Sequence, residues 1–124
     1  MINYDYNTFI NFIYYGEEVN FSYKDRKYFI QGWFKKIKDK SKQSYYHLEV
    51  ARWVPLLQQN LWEYNSFVSM EECAKAFLDA KIFDGKSFPE IEHETESIDF
   101  PKDAEKETEE YWGNHPDEIP DGIK

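Results

Sequence analysis

Hydrophobic and polar positions change their period along the chain, and each change predicts an element. Phe9, Ile10, Phe12 and Ile13 repeat at the three-to-four spacing of one helical face, with Asp5 or Asn7 as N-cap and Gly16 as the stop. From Glu18 the period becomes two. Val19, Phe21 and Tyr23 alternate with Glu18, Asn20 and Ser22, which predicts a strand, and Lys24-Asp25-Arg26 supplies a tight turn. Residues 27–36 then form the return strand, with Tyr28, Ile30 and Phe34 on one face, Phe29, Gln31 and Trp33 on the other, and Gly32 expected at a bulge. A polar loop at 38–43 precedes a strand over 44–53 with Tyr46, Leu48 and Val50 inward; Pro55 stops it. Residues 61–65 read either as a weak fourth strand or, from Leu56, as a helical turn.

The second half carries helical signals. Ser69-Met70-Glu71-Glu72 is a capping box opening a helix whose apolar face is Met70, Cys73, Ala74, Phe77 and Leu78. Asp84-Gly85 turns the chain, and Ser87-Phe88-Pro89-Glu90 repeats the cap for a short helix ending near His93. Residues 97–100 suit a last edge strand closed by Pro101. The predicted class is α+β: an antiparallel sheet of three to four strands, an N-terminal helix, and one or two C-terminal helices. Residues 1–100 are expected as one domain and 101–124 as an acidic, partly ordered tail in which Tyr111, Trp112 and Ile119 are the possible anchors, punctuated by Pro116, Pro120 and Gly122.

Size and charge refine this reading. A chain of 124 residues with 24 aromatics buries about two-thirds of its unfolded surface, enough for a core. The absence of an apolar leader or a long apolar run, together with a single Cys73, points to a cytoplasmic protein without a membrane span. The net charge of −9 is divided unevenly: residues 1–62 hold 9 basic and 6 acidic side chains, and residues 63–124 hold 6 and 18. From Glu90 to Lys124 there are 13 acidic side chains against Lys102, Lys106 and Lys124.

Most catalytic chemistry lacks its residues. Five isolated glycines build no phosphate cradle, and no nucleophile elbow is present. Cys73 lies beside two glutamates on an apolar helix side, a poor setting for a thiolate. His47, Cys73, His93 and His115 are spread over separate elements, and Glu90-x-x-His93 lacks the second copy that a di-iron centre needs, so neither metal nor cofactor is expected. An enzyme is not expected. Two binding surfaces are. One is a sheet face with Phe29, Trp33, Lys35 and Tyr45, which would suit unpaired bases or, equally, a homodimer contact in place of a monomer. The other is the acidic stretch: Glu90, Glu92, Glu94, Glu96, Asp99, Asp103, Glu105, Glu107, Glu109 and Glu110, with Tyr111 and Trp112 as aromatic anchors. Carboxylates at alternate strand positions lie about 6–7 Å apart, close to the phosphate spacing of one nucleic-acid strand.

The run Ala80-Lys81-Ile82-Phe83-Asp84-Gly85-Lys86-Ser87-Phe88-Pro89-Glu90-Ile91, taken with the Glu18–Tyr23 and Lys27–Trp33 hairpin, resembles small acidic proteins of low-GC Gram-positive bacteria and their phages over about residues 8–100. The shared features are a turn and a cap, so the resemblance implies a fold and no activity. Small acidic phage proteins include inhibitors of host defence, of the anti-CRISPR and anti-restriction kinds, some of which imitate DNA. The resulting expectation is a non-enzymatic inhibitor that occupies the basic groove of a nuclease or RNA-guided effector without itself binding nucleic acid. The alternatives are an immunity or antitoxin protein held against one toxin, and a nucleic-acid-binding sheet.

Overall fold

The computed structural model describes residues 1–121; Gly122 and Lys124 lie outside the described residues. The elements run α1 (Tyr6–Tyr14), β1 (Val19–Tyr23), β2 (Arg26–Lys35), β3 (Tyr45–Val54), β4 (Trp62–Ser66), α2 (Met70–Asp79), α3 (Phe88–Ile91), β5 (Glu96–Ser97) and α4 (Ala104–Asn114), with 3₁₀ turns at Glu92–Glu94 and Pro116–Glu118. The fold is α+β. Its antiparallel sheet has five strands in the order β4-β3-β2-β1-β5, one more than expected, because Trp62–Ser66 pairs with β3 and Glu96–Ser97 with β1. The last strand falls upstream of the predicted 97–100, since Phe100 leaves the sheet plane to pack on Trp53, with ring centres 4.7 Å apart.

Local chemistry accounts for the element ends. Asp5 accepts from Thr8 N at 2.9 Å to cap α1, and Gly16 ends it with φ of +74°. Lys24 and Asp25 take positive φ at the β1–β2 turn, the geometry a two-residue hairpin requires. Ser69 caps α2 through Glu72 N at 3.1 Å, and Ser87 and Glu90 form the full capping box of α3. Gly32 does not mark a bulge; the register shift lies between Lys27 and Tyr28. A glycine is needed at 32 for close approach. A Cβ there would meet His47 O and the Met70 methyl at 2.9 Å each, and Gly32 N donates to Gly16 O at 3.1 Å.

Helices α1 and α2 cover one face of the sheet. Between them lies a core of Phe9, Ile13, Phe21, Ile30, Leu48, Val50, Phe77 and Phe88, all buried. Phe88 is the hinge of this packing, with ring centres 5.6 Å from Phe9, 5.0 Å from Phe21 and 5.7 Å from Phe77. Burying such a ring stabilises the fold by about 2–3 kcal/mol. The segment read as a partly ordered tail contains α4, which closes the end of the sheet where β2 begins and β3 finishes. Thr108 Oγ1 accepts from Leu56 N at 2.8 Å, and Tyr111 is 5% exposed. Among the described residues, no helix is long and apolar enough to cross a membrane.

Candidate functional site

The structure sorts the expected acidic residues into those engaged within the fold and those facing outward. Glu90 accepts from Ser87 N and Oγ at 3.1 and 3.0 Å and pairs with Lys81; the lysine and then the serine hold its carboxyl down to about 2. Glu92 pairs with the Met1 amine, Glu107 with Lys27, and Asp103 caps α4 through Lys106 N. Glu94, Glu96, Asp99, Glu105, Glu109 and Glu110 are exposed, and among the described residues none has a lysine or arginine within ion-pair distance.

Tyr111 is not an anchor for a partner. Its ring is buried and its hydroxyl sits 3.1 Å from Arg26 Nε and 3.0 Å from Glu118 Oε2. Arg26 joins three elements, reaching Asp84 at 3.0 Å and Glu118 at 2.8 Å as well. Burial works against its charge, but hydrogen bonds with Tyr111, Tyr28, Asp84 and Glu118 outweigh it and raise its pKa; Glu118 is lowered in return, chiefly by Arg26. Trp112 is half-buried against Tyr111, at a ring separation of 5.4 Å.

Two adjoining clefts take in three of the outward carboxylates, Glu94, Glu96 and Glu110. One, of about 410 Å³, is lined by Ser22, Tyr23, Lys24, Glu94 and Glu96 together with Asp25 and Lys27. The other, of about 300 Å³, shares Asp25 and Lys27 and adds Glu107, Glu110, Asn114 and His115. Sequence spacing placed Glu94–Glu96 and Glu107–Glu110 in one run of chain; the sheet edge and α4 bring them to either side of Lys27, with Lys24 beside Glu94 and Glu96.

The sheet face opposite the helices is the second candidate. Phe29 is not free to stack a base, because Trp53 lies on it at 4.3 Å and donates Nε1–H to Asn20 Oδ1 at 2.8 Å. Trp33 (42% exposed) packs at a tilt against His47, ring centres 4.7 Å apart, and Tyr45 meets Phe67 (63% exposed) edge-on. Lys35 pairs with Tyr45 across the strands. In the middle of this face the register sets Gln31, Glu49 and Glu63 in one row and Trp33, His47 and Asn65 in the next. His47, Glu49 and Glu63 thereby bring three metal-ligating atoms within 4.8 Å of one another. The sequence signal for this grouping is His47-x-Glu49, two side chains on one strand face; the third donor comes from a pairing that spacing does not encode. Cys73 is buried, and burial followed by the nearby Glu72 charge raises its thiol, so it stays a core residue.

No family model matches the chain, and no curated protein or solved structure is significantly similar to it.

Proposed function

We propose that this chain is a cytoplasmic, non-enzymatic protein-binding module that docks its acidic end onto a basic surface of another protein, a nucleic-acid-binding groove above all, and keeps nucleic acid out of it. The reading rests on one observation: Glu94, Glu96 and Glu110 line two adjoining clefts around Lys27, with Glu105 and Glu109 exposed on the same helix as Glu110. The surface is narrower than the run of carboxylates in the chain, because Glu90, Glu92, Asp103 and Glu107 are engaged internally. A cluster in which carboxylates outnumber the lysines beside them attracts a cationic partner, speeds encounter at low salt, and desolvates at little cost only when the partner supplies Lys or Arg.

A second reading, an immunity or antitoxin protein with a mixed patch, is favoured by the exposed Trp33, Phe67 and Val68 (72% exposed) beside Tyr45. Direct nucleic-acid binding by the Phe29, Trp33, Lys35 and Tyr45 face is disfavoured. Glu49 and Glu63 lie on that same face and repel phosphate, and Phe29 is covered.

The test is displacement of a labelled oligonucleotide from a captured nucleic-acid-binding partner, using the whole chain and a variant with Glu94, Glu96, Glu105, Glu109 and Glu110 changed to Gln. Five lost charges are expected to weaken binding by about 100-fold at 50 mM salt and much less at 500 mM. Equal affinity of the two proteins overturns the proposal. Loss on Trp33→Ser or Phe67→Ser instead supports the second reading.

A further inference from the structure

The open sheet face carries an arrangement that neither reading above uses. We propose that it binds a divalent metal ion of the zinc class, held by His47 Nε2 on β3, a Glu49 oxygen two residues on, and a Glu63 oxygen on β4.

Two carboxylates face each other directly across a strand pair, Glu49 opposite Glu63, a placement that destabilises a sheet unless something cationic offsets it. Among the described residues no lysine or arginine lies within ion-pair distance of either. Glu49 is only 9% exposed, so water does little of the work. In place of a cation, the Asn60 amide nitrogen bridges the two, 3.2 Å from Glu49 Oε1 and 3.1 Å from Glu63 Oε2. Rotating that amide presents its oxygen as a further donor.

The histidine brings its own donor atom to the same place. Nδ1 lies 2.6 Å from Asn65 Oδ1, which fixes the ring's orientation. Nε2 faces Glu49 Oε1 at 2.8 Å, a contact that either a proton shared by the two or a metal ion can close. Asn65 on the far nitrogen of His47, and Gln31 on the far oxygen of Glu49 at 2.9 Å, hold each ligand by the atom it would not give to the metal, as outer-shell partners do in metal proteins. Zinc bonds of about 2.0–2.2 Å place tetrahedral ligands roughly 3.4 Å apart. The three donors, within 4.8 Å of one another, close to that spacing by a small movement of the exposed Glu63 side chain. One imidazole and two carboxylates suit Zn²⁺ better than the all-oxygen sites of Ca²⁺ or Mg²⁺. The fourth position falls to water or to a donor from a docked molecule.

The experiment is calorimetric titration of the full, EDTA-treated chain with zinc chloride, with calcium and manganese chloride as parallel arms. One zinc per chain is expected, with calcium at least tenfold weaker. Glu63→Gln and His47→Gln should each weaken zinc by at least tenfold, while Asn65→Ala weakens it by about tenfold through the histidine's orientation. The His47 ring-nitrogen NMR signals should shift at Nε2 and not at Nδ1. Glu63 is exposed, so Glu63→Gln keeps the test valid if His47→Gln fails to fold. The proposal falls if the folded chain shows no saturable zinc binding up to 1 mM zinc chloride, if Glu63→Gln leaves the affinity unchanged, or if binding disappears in His93→Gln or His115→Gln instead.

Discussion

Arg26 ties the C-terminal part of the molecule to the start of β2. Its guanidinium gives separate N–H groups to Tyr111, Asp84 and Glu118, so α4, the 83–86 turn and the 3₁₀ turn after α4 meet at one side chain. A planar fork does this where an ammonium would not. Tyr111→Phe is expected to cost about 1 kcal/mol and Arg26→Leu about 2–3 kcal/mol, because the second removes one donor each from Tyr111, Asp84 and Glu118. The double variant should cost less than the sum, by at least 0.5 kcal/mol on the usual scale for residues in one network. Urea unfolding of the four proteins measures this, and strict additivity would mean that the hydroxyl and the guanidinium act separately. Tyr111 was legible as an apolar anchor from its place in a polar stretch. That its hydroxyl engages Arg26, 85 residues away, was not.

At the level of elements, α4 separates a charged helix from a solvated tail. Five of its eleven residues are glutamate or lysine, and its apolar stripe is only Ala104, Tyr111 and Trp112, which is why periodicity alone predicted partial order. What holds it is contact: Asp103 as cap, Thr108 on Leu56 N, Glu107 on Lys27, and Tyr111 buried. Proline at the exposed position 109 removes an internal hydrogen bond and clashes with the preceding turn, at a cost of about 3 kcal/mol. Glu109→Pro is therefore expected to lower the urea midpoint of the whole domain and to speed hydrogen exchange in β3, whose end α4 covers. A loose tail would leave both unchanged. The sheet, by contrast, was legible almost strand by strand, because alternation over β1, β2 and β3 depends only on neighbours two residues apart. The Gly32 bulge failed for a related reason: the demand on that residue comes from Met70 and His47, not from its own strand.

For the whole molecule, charge is distributed along the long hairpin. Lys35, Lys36, Lys38, Lys40 and Lys42 are exposed at the β2–β3 loop, whereas Lys24, Arg26 and Lys27 at the opposite end are engaged by Asp84, Glu118 and Glu107. Eight residue steps of strand separate Lys27 from Lys35, roughly 26 Å, well over the Debye length of about 8 Å in physiological salt. The basic loop and the acidic end are therefore electrostatically separate in physiological salt. The ion pairs also set its response to acid. Glu90, held down to about 2, and Glu118, also lowered, add stability that is complete above the unfolded glutamate value of about 4.3 and is lost as pH falls through their folded values. The melting temperature should hold from pH 7 to 5 and decline steadily from about pH 4.5 toward 2. Glu90→Gln should flatten the lowest part of that decline; an unchanged profile would mean that the Lys81 and Ser87 contacts do not persist in solution.

What the amino-acid sequence determined by itself is the local order: the α1 stripe, the alternation of β1 to β3, the Lys24-Asp25 and Asp84-Gly85 turns, and the Ser69 and Ser87 caps. Each depends on residues within one or two turns of the backbone, so the chain states it directly. Tertiary structure alone decided which carboxylates face outward and which are paired, that Tyr111 is buried, and that Glu63 meets His47 and Glu49. Those outcomes follow from strand register and helix docking, which join groups tens of residues apart and which free energy settles only when the whole core closes at once.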